Sequence, residues 1–188
     1  MKPNATLWDR FEGWFWKPIE KLKECPEGDG AFMAMSASLA LCERYYRTVT
    51  PTHAGQKDLL SYKRSGLKNT DDEVWKPERQ RDDISFRRAA AKDLGIEYWK
   101  FEVFWQVFRH GIQHQGMPKR YEDRNKVTYR WQIAAGFPSL PDFHVVNLHL
   151  QVIRIDPWAF AEIICKKYRA NPAILHNATV HAFGEVSS

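Results

Sequence analysis

Cysteine is scarce in this sequence, occurring only at Cys25, Cys42 and Cys165 in 188 residues. An odd number at such wide spacing excludes a disulfide framework and a CxxC zinc site, and it fits reduced thiols in a cytoplasm. Long apolar runs are missing as well. No stretch approaches the roughly 18 consecutive apolar residues of a membrane-spanning helix, so a membrane is not among the expected partners. The stretch Met1 to Trp16 mixes Asp9, Arg10 and Glu12 with its aromatics, and it lacks the uninterrupted apolar segment of a secretion signal. Neither sign of charge dominates, with 28 Lys and Arg against 23 Asp and Glu, a net charge of +5. The most charged stretch, Lys57 to Asp93, is nearly balanced and reads as a solvated surface segment. Internal repeats and low-complexity tracts are absent.

What the chain does contain is apolar and aromatic. Hydrophobic residues make up 44% and aromatics 14%, too many for a disordered chain. The length suits one domain with one buried core. The expected organisation is a single domain over 1–188, with its core at about 7–170, a β-hairpin at about 126–155 and a peripheral tail at 171–188.

Leu7, Trp8, Phe11, Phe15 and Ile19 recur at helical spacing, with Pro18 expected to kink or break the helix. Its Trp-rich face reads first as core, then as a dimer interface, and only distantly as a base-stacking surface. Ala31 to Val49 predicts a second helix, stopped by Pro51. Residues 52–85 predict a loop with at most a short helix, and Phe86 to Leu94 a helix ending at Gly95. Ile96 to Ile112 is apolar around most of its circumference, as a helix buried within a bundle would be. Two period-two segments follow. Val127, Tyr129, Trp131 and Ile133 alternate with polar residues, as do Val146, Leu148, Leu150 and Val152. The Gly136 to Pro141 loop between them predicts a hairpin. Asp156 and Pro157 open a final helix that runs to about Ala170. The expected fold class is therefore mainly α, a helical bundle with an inserted or appended β-hairpin.

The chemistry-bearing segment lies at the end of the buried helix. After a run of aromatics come Arg109, His110, Gly111, Ile112, Gln113, His114 and Gln115. His110 and His114 are one turn apart on a helix face, and Arg109 is adjacent. An Arg can hold a phosphate and stabilise its developing charge, while a His moves protons at neutral pH. With RNA the nucleophile can be the substrate's own 2′-hydroxyl, so neither a metal nor a cofactor is required. A second reading of Arg109, His110 and His114 is a polar helix end, with cations complementing the C-terminal dipole. A third is a metal-dependent hydrolase in which His110 and His114 are joined by His144 or His149, although no Glu sits between the first pair as in HExxH. Beyond Met117, Lys119, Arg120, Arg124, Lys126 and Arg130 face only Glu122 and Asp123, a local basic excess suited to RNA. Lys126, Thr128, Arg130, Asn147, His149 and Gln151 read either as an RNA-facing wall or as an ordinary solvated sheet face.

Arg109 to His114 resembles the R-x4-6-H signature of HEPN domains. It is most similar to that of bacterial HEPN-like proteins with an RxGLLHQ-type segment, later followed by an N/D-P-x-x-F pattern, here Asp156-Pro157-Trp158-Ala159-Phe160. Gln113 takes the place of a usually apolar residue. Spacing alone is not selective, since Arg47 to His53 and Arg169 to His176 also fit it; the apolar helix that precedes Arg109 sets it apart. The resemblance spans roughly Ala31 to Ala170 and implies an all-α bundle of the kind found in toxins, phage-defence nucleases and CRISPR-associated RNases. It further implies a homodimer whose two Arg/His pairs meet in one composite site. His114 would be the acid/base residue, Arg109 the phosphate binder and His110 a polar supporter. Glu43, near the end of the second helix, would either orient Arg109 or be a surface charge. The expected activity is metal-independent RNA cleavage or RNA binding, with an antitoxin or defence protein as partner. The alternative is a catalytically silent HEPN-like module for dimerisation or partner binding.

Overall fold

The computed structural model describes residues 6–28, 30–50, 85–112 and 116–176. The chain opens with α1 (Leu7–Phe11), capped by Thr6, whose hydroxyl accepts from the Asp9 backbone N–H while the Asp9 carboxylate accepts from the Thr6 backbone N–H. A π-helical turn over Glu12–Trp16 leads directly into α2 (Lys17–Lys21). The helical path therefore continues through Pro18 rather than breaking there. Lys17 N–H donates to Glu12 O, five residues back. That wider turn resets the hydrogen-bond ladder, so Pro18 falls in the first turn of α2, where a missing N–H does little harm.

α3 (Ala31–Val49) spans the expected residues and buries Ala34, Met35, Leu39, Cys42 and Tyr46. Gly30 sits at its start because a Cβ there would lie 2.2 Å from the Leu22 carbonyl oxygen. α4 (85–94) ends at Gly95, whose φ of +69° is the left-handed conformation that favours glycine after a helix. α5 (Tyr98–Phe104) continues as a π-helix over Trp105–His110, and together they bury Phe101, Val103, Phe104, Trp105, Val107 and Phe108. α6 (Pro157–Ala170) starts as the sequence predicts: Asp156 accepts from the backbone N–H groups of Trp158 and Ala159, and Pro157 takes the first position. It packs along α3, where Tyr168 OH donates to Leu41 O at 3.0 Å. Cys25, Cys42 and Cys165 are all free thiols. No helix among the described residues is long and apolar enough to cross a membrane.

The expected mainly α bundle with a hairpin is overturned, because the chain is mixed α/β. A four-stranded mixed sheet is ordered β1 (Tyr121–Glu122), β2 (Thr128–Ile133), β4 (Leu150–Ile155), β3 (Asp142–Asn147). β2 runs parallel to β4, pairing Thr128 with Leu150 and Ile133 with Ile155. The segment Val146 to Val152 is not one strand but the end of β3, a tight turn and the start of β4. The Asn147 side chain accepts from the His149 backbone N–H at 2.9 Å and so folds the chain back on itself. Alternation of apolar and polar residues runs through this turn and conceals it. The Gly136 to Pro141 loop does reverse the chain, but β2 and β3 stand one strand apart and β4 fills the gap.

Opposed residues share a face, so the register sorts the side chains. Tyr129, Trp131, Ile133, Phe143, Ile153 and Ile155 point toward the helices, where Trp131 meets Phe32 edge-on and Phe143 meets Trp99. Thr128, Arg130, Gln132, Val152, Arg154, Asp142 and His144 lie on the opposite face. Gln151, opposite Tyr129, falls on the helix side and so does not share a wall with Arg130.

Candidate RNA-directed site

Arg109 lies in the last turn of the π-helical segment that continues α5 and ends at His110. Phe104, Val107 and Phe108 are fully buried just before it, so the aromatic run anchors the turn and brings the polar residues to the protein surface at its end. π-helical turns are uncommon and often occur at functional positions, since the widened turn rephases the side chains that follow. Here it directs Arg109 toward α3. The Arg109 Nε donates to Glu43 Oε2 at 2.8 Å, joining residues 66 apart in sequence. The other carboxylate oxygen, Oε1, accepts from Arg47 Nε at 2.9 Å. Glu43 is therefore shared by two guanidinium groups, and of its two expected roles the structure displays the contact with Arg109.

Arg47 is the residue that sequence reasoning did not assign. Its Cζ lies 4.2 Å from the centroid of the Phe86 ring, which in turn packs edge-on against Trp105. A guanidinium over an aromatic face gains electrostatic attraction from the ring quadrupole. The available signal was the Glu43/Arg47 spacing of i, i+4, the favourable order for a helical ion pair. The trio is neither buried nor fully solvated: the Arg109 and Glu43 side chains are each 21% exposed and Arg47 is 35% exposed. The Glu43 carboxylate thus lies between two cations. Such a cluster suits an anion and holds its guanidinium groups in defined positions.

His110 is half-buried at the end of the same π turn. His114, with Gln113 and Gln115, lies outside the described residues. Among the described residues no group of three or more His, Cys, Asp or Glu side chains is arranged to hold a metal. His144 is on β3 and His149 at the β3–β4 turn, both exposed.

The backbone around this segment is tightly constrained. After Gly116 (φ +73°) the chain doubles back, and Lys119 N–H donates to Val107 O at 2.9 Å. It passes so close to the helix end that a Cβ on Gly111 would lie 2.4 Å from Lys119 N and 2.8 Å from Met117 O. Only glycine fits at that position, which explains the residue in the middle of the Arg109–His114 segment. The same crossing leads from Arg109 directly to the basic residues.

The structure separates those basic residues by environment. Lys119 is half-buried at the crossing. Arg120 is exposed, and its Nη2 donates to Thr128 Oγ1 at 3.2 Å. Arg124 is exposed in the β1–β2 turn. Asp123 organises that turn, accepting from the N–H groups of Asn125 and Val127 and from Tyr129 OH. Burial, and then the hydrogen bond to Asp123, pushes the Tyr129 phenol up to about 12. Lys126 adopts φ +62° and pairs with Glu122 at 3.2 Å. Arg130 projects from β2, exposed on the face turned away from the helices. The five cations therefore do not form one cluster. Lys126 is neutralised, while Arg120 and Arg130 have no carboxylate partner among the described residues.

No family model, curated protein or solved structure matches the chain.

Proposed function

We propose that the chain is an RNA-directed protein of the HEPN type. It would act without a metal, as an endoribonuclease or RNA binder in a toxin or phage-defence setting, and as a homodimer. The observation that carries this reading is the Glu43–Arg109 ion pair. It ties the early helix to the R-x4-H segment and fixes one phosphate-binding group by a charge-assisted hydrogen bond. In the cleavage reaction Arg109 holds the scissile phosphate. The RNA 2′-hydroxyl gives up its proton and attacks phosphorus. The P–O5′ bond breaks, leaving a 2′,3′-cyclic phosphate, and the departing 5′ oxygen is protonated. His114 is assigned to proton transfer on its sequence position, with His110 in support. A second Arg109/His114 pair from the partner copy would supply the other half of the proton transfer.

The test is RNA cleavage in EDTA. Cleavage that persists in the chelator and falls by about 100-fold or more in both Arg109→Ala and His114→Ala, with folding intact, supports the nuclease form. Binding without cleavage, weakened in Arg109→Ala, selects the binder form. No binding and no cleavage of any RNA, or unchanged behaviour in both variants, overturns the proposal.

One observation favours the catalytically silent alternative, a dimerisation or partner-binding module. β3 is an edge strand, and around its turn Val145, Val146 and Leu148 are 61%, 52% and 88% exposed. Apolar side chains along an open strand edge are an association surface. Dimerisation with no affinity for RNA, lost on Val145→Lys, would select that alternative.

A further inference from the structure

The face of the sheet turned away from the helices presents a row of side chains from three strands. The register aligns Arg130, Val152 and His144 in that row, next to a row of Gln132, Arg154 and Asp142. Strands lie about 4.8 Å apart, so the Arg130 and His144 backbones stand roughly 10 Å from one another. Arg120 reaches the same face from outside the sheet by donating to Thr128, the neighbour of Leu150 on β4. Among the described residues, the strand carboxylates on this face are both occupied: Asp142 by Arg154 at 2.6 Å, and Glu122 by Lys126. Among the described residues, Arg120 and Arg130 on this face have no carboxylate partner.

We propose that this outer face is a docking surface for single-stranded RNA. Phosphates would lie against Arg120 and Arg130, and a base would rest on the flat patch made by Val152 and His144. The proposal rests on the RNA-directed reading above and extends it by naming where the strand runs. Charge complementarity identifies the occupant. Two guanidinium groups with no carboxylate partner among the described residues, on a face whose other charges are paired, suit a flexible chain of phosphodiesters. An imidazole offers a π-face on which an unpaired base can stack, which a duplex does not present. The chain crossing ties the two regions together at the backbone, because Lys119 N–H, next to Arg120 in sequence, is bonded to Val107 O, two residues before Arg109.

Fluorescence anisotropy with a labelled single-stranded RNA of about 12 nucleotides tests this on the full chain across a salt series. Arg130→Gln is the deciding variant because the residue is exposed, so its loss is expected to leave the fold intact, checked by its denaturation curve. It is expected to weaken binding about five-fold and to reduce the slope of log K against log salt by about 0.7, one phosphate contact fewer. Arg120→Gln should act similarly, and His144→Ala should weaken binding with the slope unchanged. Wild-type affinity in both Arg variants, with weaker binding in Arg109→Ala, overturns the sheet track and leaves the RNA-directed reading standing. No RNA bound by the wild-type chain overturns both. Loss of binding to phosphatidylserine vesicles in Arg130→Gln, with RNA affinity unchanged, also overturns the proposal and assigns the face to an anionic lipid surface.

Discussion

Two basic regions of this molecule are built on opposite principles. Where α3 meets the π turn, the Glu43 carboxylate accepts from Arg109 at 2.8 Å and from Arg47 at 2.9 Å, and Phe86 lies under the second guanidinium. On the outer sheet face, Arg130 projects from β2 with no carboxylate beside it among the described residues. In the first region a shared carboxylate opposes the positive charge and its position is fixed. In the second it is uncancelled and free to adjust. A reacting phosphate needs guanidinium groups held in a fixed geometry, because their value lies in being aligned before the charge develops. A strand that is merely held needs cations that can follow it. The contrast therefore separates a candidate reaction site from a candidate binding track.

The largest effect belongs to the backbone that joins the two regions. Gly111→Ala places a Cβ 2.4 Å from Lys119 N, and the obstructing atoms are main chain rather than the ends of flexible side chains. Thermal or urea denaturation should show a loss of about 3 kcal/mol, since the crossing must move to make room. Wild-type stability in that variant would mean the close approach does not hold in solution. Next comes Glu43→Gln, which keeps the shape but leaves two half-buried guanidinium groups facing an amide. A loss of about 1–2 kcal/mol is expected in urea denaturation. Arg130→Gln under the same conditions should stay within about 0.5 kcal/mol. Equal losses in Glu43→Gln and Arg130→Gln would erase the distinction between the regions.

The smallest effects are those of pH, and they arise outside both regions. Burial favours the protonated form of Asp93, but hydrogen bonds from Lys167 and Tyr46 outweigh it and hold the carboxyl below its ordinary range. That contribution is present above the unfolded pKa of about 4 and is lost as pH falls through the folded value. Tyr129 has the opposite sign. Raised to about 12, its contribution is present below the unfolded pKa of about 10 and is lost as pH climbs through 12. Asp93→Asn should reduce the acid limb of a stability–pH curve, and Tyr129→Phe should remove a share of an alkaline limb to which the more deeply buried Tyr46 and Tyr168 also contribute, each without altering RNA affinity. If either variant changed RNA affinity, the separation of bracing from binding groups would fail.

The helices were the more legible part of the sequence, for a local reason. α3 and α6 are bounded by signals within a few residues of their ends, the Asp156 cap and Pro157 among them. The sheet depends on a short-range turn hidden inside an alternating pattern and on a pairing that skips a strand. Asn147 makes that turn through a single side-chain hydrogen bond, and the parallel pairing of β2 with β4 leaves no mark on either strand alone. The site divides along the same line. Arg109 stands out because an apolar helix ends there, whereas its contact with Glu43 bridges 66 residues and needs the tertiary structure to be seen. In the sequence Arg47 stands out only as one end of the Arg47 to His53 spacing, and its contact with Phe86 is tertiary. His114 lies outside the described residues, so its assignment rests on the sequence.

The most direct measurement is a double-mutant cycle on RNA affinity using Glu43→Gln, Arg109→Ala and the pair together. If Glu43 acts by positioning Arg109, each single variant weakens binding and the double variant is no weaker than Arg109→Ala alone. Losses that add, or a wild-type chain that binds no RNA, would contradict the account.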